Sequence, residues 1–129
     1  MSSTEEIYKK KQKFDSAELI ERLSVIMEKD EIFKDVSLTI EGLAEMLHTN
    51  RTYLSQYIKS VYGMTFRDWI SDLRIEYAKR LMLQQPQFRV VDISESSGFL
   101  SLSHFTHTFT SKEGCSPSKW RNKNIVRSC

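Results

Sequence analysis

Two histidines and a cysteine lie close together near the C-terminus and could bind a metal ion. His104 and His107 are three residues apart, close to one helical turn, and Cys115 follows them. Imidazole nitrogens and thiolates are the usual ligands of zinc. However, no C-x-x-C or H-E-x-x-H spacing accompanies them, and such spacings are what make a zinc site predictable. We therefore predict no metal site and no cofactor.

Nucleophilic and phosphate-binding chemistry also lacks the sequence pattern that it needs. The serines of SESSGF, residues 94–99, have no strand–turn–helix context of the kind that exposes a nucleophilic serine. The chain has four glycines, and they form no glycine-rich phosphate loop. We therefore predict that the chain is not an enzyme.

Helical periodicity dominates the elements that must position these residues. Two prolines and four glycines in 129 residues leave long uninterrupted segments, and no stretch alternates in the manner of a strand. No apolar run approaches the ~20 residues of a membrane span, and the N-terminus lacks the apolar stretch of a signal peptide. The sequence predicts an all-α, cytoplasmic protein with seven helices.

Capping residues indicate where the helices begin and end. Serine, threonine, asparagine and aspartate favour the N-cap, and glycine favours the left-handed position after a helix. The predicted N-caps are Asp15, Thr39, Asn50, Thr65, Ser101 and Ser116, and the predicted stops are Gly63 and Gly114. The residues predicted to face inward are Leu19, Ile20, Leu23, Ile26 and Met27; Leu43, Met46 and Leu47; Leu54, Tyr57, Ile58 and Val61; Phe66, Ile70, Leu73, Tyr77 and Leu81; and Leu102, Phe105 and Phe109.

Part of the sequence repeats, because residues 50–69 match residues 101–120 at a shift of fifty-one. Caps, core positions and stops coincide, as Asn50 does with Ser101. The helices that precede them match at a shift of fifty, so the second copy has one extra residue in its turn, the turn in which Gly98 lies. Each copy is a short helix, a tight turn and a longer amphipathic helix, the order of a helix-turn-helix unit.

The longer helix of each copy presents a polar face opposite its apolar one. In a DNA-reading helix one face is anchored in the core and the other enters the major groove. Hydroxyl and amide side chains can hydrogen-bond base edges, and Arg51 could reach a guanine or a phosphate. A solvated helix face would look similar, but the matching register favours DNA. The polar faces are Thr52, Ser55, Gln56 and Lys59 in the first copy and Ser103, Thr106, His107 and Thr110 in the second.

The repeat also separates the two histidines. His107 matches Gln56 on the polar face, whereas His104 matches Tyr53, a position that we predict to be half-buried. The two side chains are therefore predicted to lie on different surfaces of the helix, so they would not converge on one metal ion.

The helix between the copies, about Thr65 to Gln84, has a length that suits DNA. Twenty residues at ~1.5 Å each span about 30 Å, near the ~34 Å of one DNA turn. Such a helix could hold the two recognition helices in successive major-groove segments. The predicted organisation is a leader over residues 1–13, a first helix-turn-helix subdomain over 14–63, a linking helix over 64–85, a second subdomain over 86–123 and a tail over 124–129.

Charge is unevenly distributed, although the net charge is only +2. Residues 14–47 carry nine acidic and three basic side chains, whereas residues 48–129 carry twelve basic and six acidic ones. A basic later part favours a polyanionic partner. Between Arg89 and Lys112 there is no lysine or arginine. Because nonspecific DNA affinity grows with basic contacts, we expect the first copy to anchor binding and the second to refine or bend.

These segments resemble the DNA-binding domain of AraC/XylS-type transcription regulators over about residues 16–123. The matching stretches are GLAEMLHTNRTYLSQYIKSVYGMTFRDWI, LRIEYAKRLML, DISESSGF, SHFTHTF and SPSKWR. The most specific positions are Gly98, Phe99, Phe105, Phe109, Gly114, Pro117, Trp120 and Arg121. Two features depart from the family: Thr110 replaces a usual lysine, and serines replace small apolar residues at Ser94, Ser96 and Ser97.

The resemblance implies a double helix-turn-helix that binds double-stranded DNA and usually activates transcription in contact with RNA polymerase. It also implies a longer regulator with a separate sensing or dimerisation domain, and a phosphate contact by Lys59. The residues that the resemblance places at bases are Arg51, Thr52, Ser55, Gln56, Leu102, Ser103, Thr106 and His107. The alternative is a helical protein-interaction module without DNA specificity, which would not need matched polar faces in both copies.

Overall fold

A computed structural model describes residues 17–125, and within that range the chain forms seven α-helices and no strand, as predicted. The predicted cap Asp15 and the predicted leader over residues 1–13 lie outside the described residues. No helix in the described range is long and apolar enough to cross a bilayer. The helices are α1 (residues 17–28), α2 (Ile40–Met46), α3 (Arg51–Tyr62), α4 (Phe66–Gln84), α5 (Val90–Ser96), α6 (Leu102–Glu113) and α7 (Pro117–Ile125), with a 3₁₀ turn at Ile32–Lys34.

The remaining predicted N-caps are confirmed by hydrogen bonds. In each case a side-chain oxygen accepts from the backbone N–H three residues on, a bond that stabilises a helix by about 1 kcal/mol. The bonds join Thr39 to Gly42 (3.0 Å), Asn50 to Tyr53 (2.8 Å), Thr65 to Asp68 (3.2 Å), Ser101 to His104 (3.0 Å) and Ser116 to Lys119 (3.2 Å).

The described residues divide into two compact units, each with its own buried side chains. Within the described range, the first unit consists of residues 17–32 and Leu38–Tyr57, and the second consists of Phe33–Ser37 and residues 58–125. The core of the first unit combines side chains from α1, α2 and the start of α3. Its buried hydrophobic residues are Leu19, Leu23, Leu43, Ala44, Leu47 and Leu54.

The second unit is built on an aromatic cluster. The rings of Phe99 and Phe105 are 5.1 Å apart edge to face, and Phe109 follows at 5.7 Å from Phe105. Trp120 of α7 closes the series with its ring 5.9 Å from that of Phe109. Such tilted arrangements are the favourable ones for aromatic pairs. These rings are part of a larger hydrophobic core, whose buried members are Ile75, Ala78, Met82, Ile93, Phe99, Phe105 and Phe109.

Several predicted inward residues are exposed instead. Each lies at the edge of an apolar stripe, and a helix that packs on one side covers only about a 100° arc. The prediction was wrong for Ile20 (54% exposed), Met46 (44%), Val61 (54%) and Leu102 (43%).

The buried face of α4 also differs from the prediction. Of the five residues predicted to face inward only Ile70 is buried, because α5, α6 and α7 pack against a different stripe of this helix. That stripe consists of Ile75, Ala78 and Met82, none of which has measurable exposure. Periodicity alone could not choose between the two stripes, since both are apolar and both have helical spacing.

Ion pairs join α4 to α6 beside this stripe. The Lys112 ammonium lies 3.4 Å from the carboxylate of Asp72 and 3.2 Å from that of Glu76. Lys79 lies 3.3 Å from Glu76 and 3.2 Å from Glu113. Burial opposes ionisation of Glu76, but hydrogen bonds from Lys112 and Lys79 outweigh it and lower the pKa of the carboxyl. The network therefore ties α6 to α4.

Gly98 occupies a place where no side chain fits. Its φ is +93°, and a Cβ there would lie 2.8 Å from the carbonyl oxygens of Phe33 and Lys34. The same turn is held by Arg74, which donates to the carbonyl oxygens of Phe33 (2.6 Å) and Asp35 (2.9 Å). The backbone of the 3₁₀ turn thus packs directly on the loop before α6.

We expect Gly98→Ala to destabilise the protein more than Gly114→Ala, although both positions have positive φ. Left-handed strain costs about 1–2 kcal/mol at either site, and overpacking against the 3₁₀ turn adds about 1–3 kcal/mol at Gly98 alone. A Cβ at Gly114 would meet nothing within 4 Å. Urea unfolding measures both variants, and equal losses would show that the close contact is not energetically important.

We expect Glu76→Gln to weaken stability at neutral pH by less than about 1 kcal/mol, as is usual for partly exposed ion pairs. Because the folded-state pKa of Glu76 is below its ordinary value of 4.5, its contribution is present above that value and is lost as the pH falls through the lowered pKa. The difference from the parent protein in urea unfolding should therefore shrink as the pH is lowered below 4.5. Glu45→Gln is an exposed control, and a pH-dependent loss of the same size there would contradict the assignment.

Candidate nucleic-acid interface

The predicted repeat is present in the helices. The short helices α2 and α5 both have seven residues, and the longer helices α3 and α6 both have twelve. Both long helices follow a side-chain cap and end at a glycine with positive φ, +71° at Gly63 and +81° at Gly114. The two helix-turn-helix copies therefore share one local geometry.

Each long helix is anchored by two residues one turn apart. Leu54 and Ile58 of α3 have no measurable exposure, and neither do Phe105 and Phe109 of α6. An (i, i+4) pair on one face fixes the rotation of a helix about its axis. The opposite faces of α3 and α6 are consequently directed away from the buried side chains.

The predicted recognition residues other than Arg51 and Leu102 lie on these outer faces. Arg51 and Leu102 are the first residues of α3 and α6 and lie on the anchored side of the helix, where the open helix tip leaves them exposed. On α3, Ser55 is partly buried and the other four are exposed; on α6, only Thr106 is partly buried. Their role as base or phosphate contacts stays a prediction. The exposed ones are Arg51, Thr52, Gln56 and Lys59 on α3, and Leu102, Ser103 and His107 on α6.

The structure identifies the extra residue of the second turn as Leu100. Gly98 has a counterpart in His48, since both have positive φ, +93° and +58°. The next residues also correspond: the Thr49 N–H donates to the Ala44 carbonyl at 2.9 Å, and the Phe99 N–H donates to the Ser94 carbonyl at 3.2 Å. The insertion therefore falls after Phe99, and Leu100 is 83% exposed.

The serines of α5 meet the packing requirement of the turn. Ser94 and Ser97 are buried, at 1% and 0% exposure, whereas Ser96 is exposed. The Ser97 hydroxyl donates to the Ile93 carbonyl at 2.7 Å, so its polarity is satisfied inside the helix. Positions 94 and 97 are buried and have room only for a small side chain. Serine is small enough, and at position 97 its buried hydroxyl is hydrogen-bonded.

His104 is exposed, which contradicts the predicted half-buried position. Its ring touches the edge of the Phe99 ring at 5.5 Å between centroids, and the rest of the imidazole is open because His104 lies in the first turn of α6. His107 is exposed on the outer face. Between residues 17 and 125, no three histidine, cysteine or acidic side chains are grouped closely enough to hold a metal ion.

Positive charge differs between the two outer faces. On α3, Lys59 is exposed, and the Arg51 guanidinium lies 3.1 Å from the Glu41 carboxylate with both side chains more than half exposed. On α6, the last-turn cation Lys112 is already paired with Asp72 and Glu76. The α3 face is therefore the more basic of the two.

Two residues of this surface were missed by the sequence analysis. Glu41 of α2 approaches Arg51 from ten residues away, and only folding of the first turn reveals that contact. Leu100 is the second, because only the backbone of the turn identifies it as the inserted residue. The difference between the shifts of fifty and fifty-one signalled an extra residue but could not say which one it was.

The comparisons with known proteins agree with this arrangement. A family model described as a helix-turn-helix domain matches residues 43–123, which include α3 and α6. The HTH-type transcriptional regulator YobQ of Bacillus subtilis is 40% identical over 85 residues, 66% of this chain and 35% of YobQ. The HTH-type transcriptional regulator ExsA of Pseudomonas aeruginosa is 34% identical over 102 residues, 79% of this chain and 35% of ExsA. The matched segment thus spans about a third of the length of these relatives.

A solved structure shares the fold. The DNA-binding domain of AdpA, a global transcriptional factor solved in complex with a target DNA, superposes with a TM-score of 0.75. It covers 85% of this chain and 95% of that one at 22% identity, so it supports the fold alone. The family model and the relative that is 34% identical over 79% of the sequence show that this chain belongs to the AraC/XylS-type family of helix-turn-helix transcription regulators.

Proposed function

We propose that this chain is a sequence-specific DNA-binding domain that inserts α3 and α6 into successive major-groove segments of a duplex. The observation that carries the proposal is the matched pair of exposed polar faces, each opposite a fully buried anchor pair. The nineteen residues of α4 give the linking helix a length of about 28 Å, which suits a spacing of one DNA turn. The proposed subdomains are residues 14–63 and 86–123, joined by 64–85.

Within this proposal, α3 supplies most of the affinity. Gln56 can pair bidentately with adenine, and Arg51 can reach a guanine or a phosphate from the N-terminal tip. Lys59 at the other end of the outer face suits a phosphate. The α6 face offers hydroxyls, His107 and Leu102 and carries no cation, so its contribution is to sequence preference more than to salt-dependent affinity.

Further partners belong to the proposal as well. The lengths of YobQ and ExsA support a regulator in which this domain works with a separate sensing or dimerisation domain. The name of ExsA as a transcriptional regulator supports a role in transcription, and we propose activation through contact with RNA polymerase, in the cytoplasm. A groove of about 450 Å³ in the first unit suits a protein contact, since it has apolar residues beside acidic ones. It is lined by Glu18, Glu21, Arg22, Val25, Ile26, Met46 and His48.

The purified chain should bind duplex DNA with an affinity that falls steeply as salt is raised, because lysine and arginine contacts release counterions. Fluorescence anisotropy with a labelled duplex pool, measured from roughly 50 to 200 mM salt, tests this over the range where the effect is large. Binding that is absent at low salt, or unaffected by salt, would refute the proposed function and favour a protein-interaction module.

Arg51→Ala and Lys59→Ala should weaken binding in different ways. If Arg51 is bidentate to a guanine, its loss costs about 1–3 kcal/mol and relaxes sequence preference at one position, whereas loss of a phosphate contact at Lys59 weakens all duplexes alike and reduces the salt slope by about 1. Both are measured on a duplex selected from a random pool. Lys29→Ala, an exposed cation in the acidic N-terminal part, is the control and should change neither quantity. Identical behaviour of the Arg51 and Lys59 variants would contradict these roles.

A further inference from the structure

We propose that the second recognition helix reads thymine C5-methyl groups through Leu102 and Leu100, so that its part of the binding site is rich in A·T pairs. This inference rests on the proposed DNA-binding function and names what one of the two helices recognises. Three features support it: the exposure of two leucines, their register, and the lack of lysine and arginine in the sequence between Arg89 and Lys112.

The two leucines lie on either side of the cap of α6. Leu100 is 83% exposed and Leu102 is 43% exposed, and Ser101 between them accepts the hydrogen bond that begins the helix. A single exposed leucine is common on a protein surface. Two exposed leucines at the N-terminal tip of one helix suggest a contact surface, because this tip is the part of a recognition helix that contacts base edges.

The register shows that the apolar tip replaces a basic one. At the shift of fifty-one, Leu102 stands where α3 has Arg51, and Thr110 stands where α3 has Lys59. Leu100 has no counterpart at all, since it is the residue inserted into the second turn. The two helices therefore have the same length and a matched polar face, but at these two positions an uncharged residue of α6 replaces a cation of α3.

The remaining chemistry of the α6 face narrows the choice of base. Guanine is most often recognised by arginine or lysine on its O6 and N7 atoms, and no such residue occurs between Arg89 and Lys112. Lys112 itself is held by carboxylates at 3.4 and 3.2 Å. In the major groove the C5-methyl of thymine is the apolar group that a base pair presents, and aliphatic side chains contact it. Ser103 and Thr106 next to the leucines can hydrogen-bond the polar atoms of the same A·T pairs.

The test removes the methyl groups without changing base pairing. A duplex selected by the protein from a random pool is resynthesised with deoxyuridine in place of thymidine, one position at a time. Uracil lacks only the C5-methyl, so each methyl buried against leucine should be worth about a three- to fivefold change in Kd. We expect such losses at one or more thymines, and Leu102→Ala or Leu100→Ala should abolish the difference between thymine and uracil there.

Two controls keep the result specific. Leu83→Ala removes another exposed leucine, 47% exposed on α4, and should leave every uracil effect unchanged. Thermal unfolding of the leucine variants should match that of the parent, because both side chains are exposed.

The outcomes separate this inference from the proposed function. Salt-dependent, sequence-selective binding that is indifferent to every uracil substitution would overturn the inference and leave the function intact. Uracil effects that persist in both leucine variants would also overturn it, as would equal weakening of all duplexes by Leu102→Ala. Absence of duplex binding by the parent protein would overturn the proposed function itself.

Discussion

Complete burial of one side of each long helix is the constraint on which the rest of this protein depends. Leu54 and Ile58 anchor α3, and Phe105 and Phe109 anchor α6, without any exposed surface. Interiors are packed as tightly as organic crystals, so such side chains cannot rotate outward without leaving a void. The rotation of each helix is thereby determined, and the residues on its outer face are held in a defined register. A surface built in this way needs no loop to position its polar groups.

The turns that precede α3 and α6 share one backbone conformation but have different residues at the left-handed position. In the first turn the left-handed position is occupied by His48, which is exposed, whereas the second has Gly98 against the carbonyl oxygens of Phe33 and Lys34. Only glycine lets the 3₁₀ turn approach so closely, and Arg74 donates to the same turn. The turn before α6 is thus more tightly packed than a comparison of the two copies by sequence suggests.

Electrostatics then give the two helices different capacities. Lys112, the cation in the last turn of α6, is committed to Asp72 and Glu76, and Lys79 is committed to Glu76 and Glu113. These pairs hold α6 against α4, and the outer face of α6 itself has no lysine or arginine. On α3, Lys59 is exposed and Arg51 is restrained only by a solvent-exposed pair with Glu41, which is worth little energetically. One helix therefore suits contact with a polyanion, and the other suits recognition by shape and apolar contact.

The sequence by itself determined the helical class, the caps, the repeat and the outer faces, because each follows from local rules. A cap bonds three residues ahead, a glycine stop needs only its own φ, and helical spacing separates an anchored face from a free one. Only the tertiary structure decided which of two apolar stripes of α4 is buried, since that depends on where α5, α6 and α7 pack. It also decided that Leu102 and His104 are exposed, that Leu100 is the inserted residue, and that Lys112 is paired with acids forty and thirty-six residues earlier. Those facts depend on contacts between residues distant in the chain, and no local pattern specifies them.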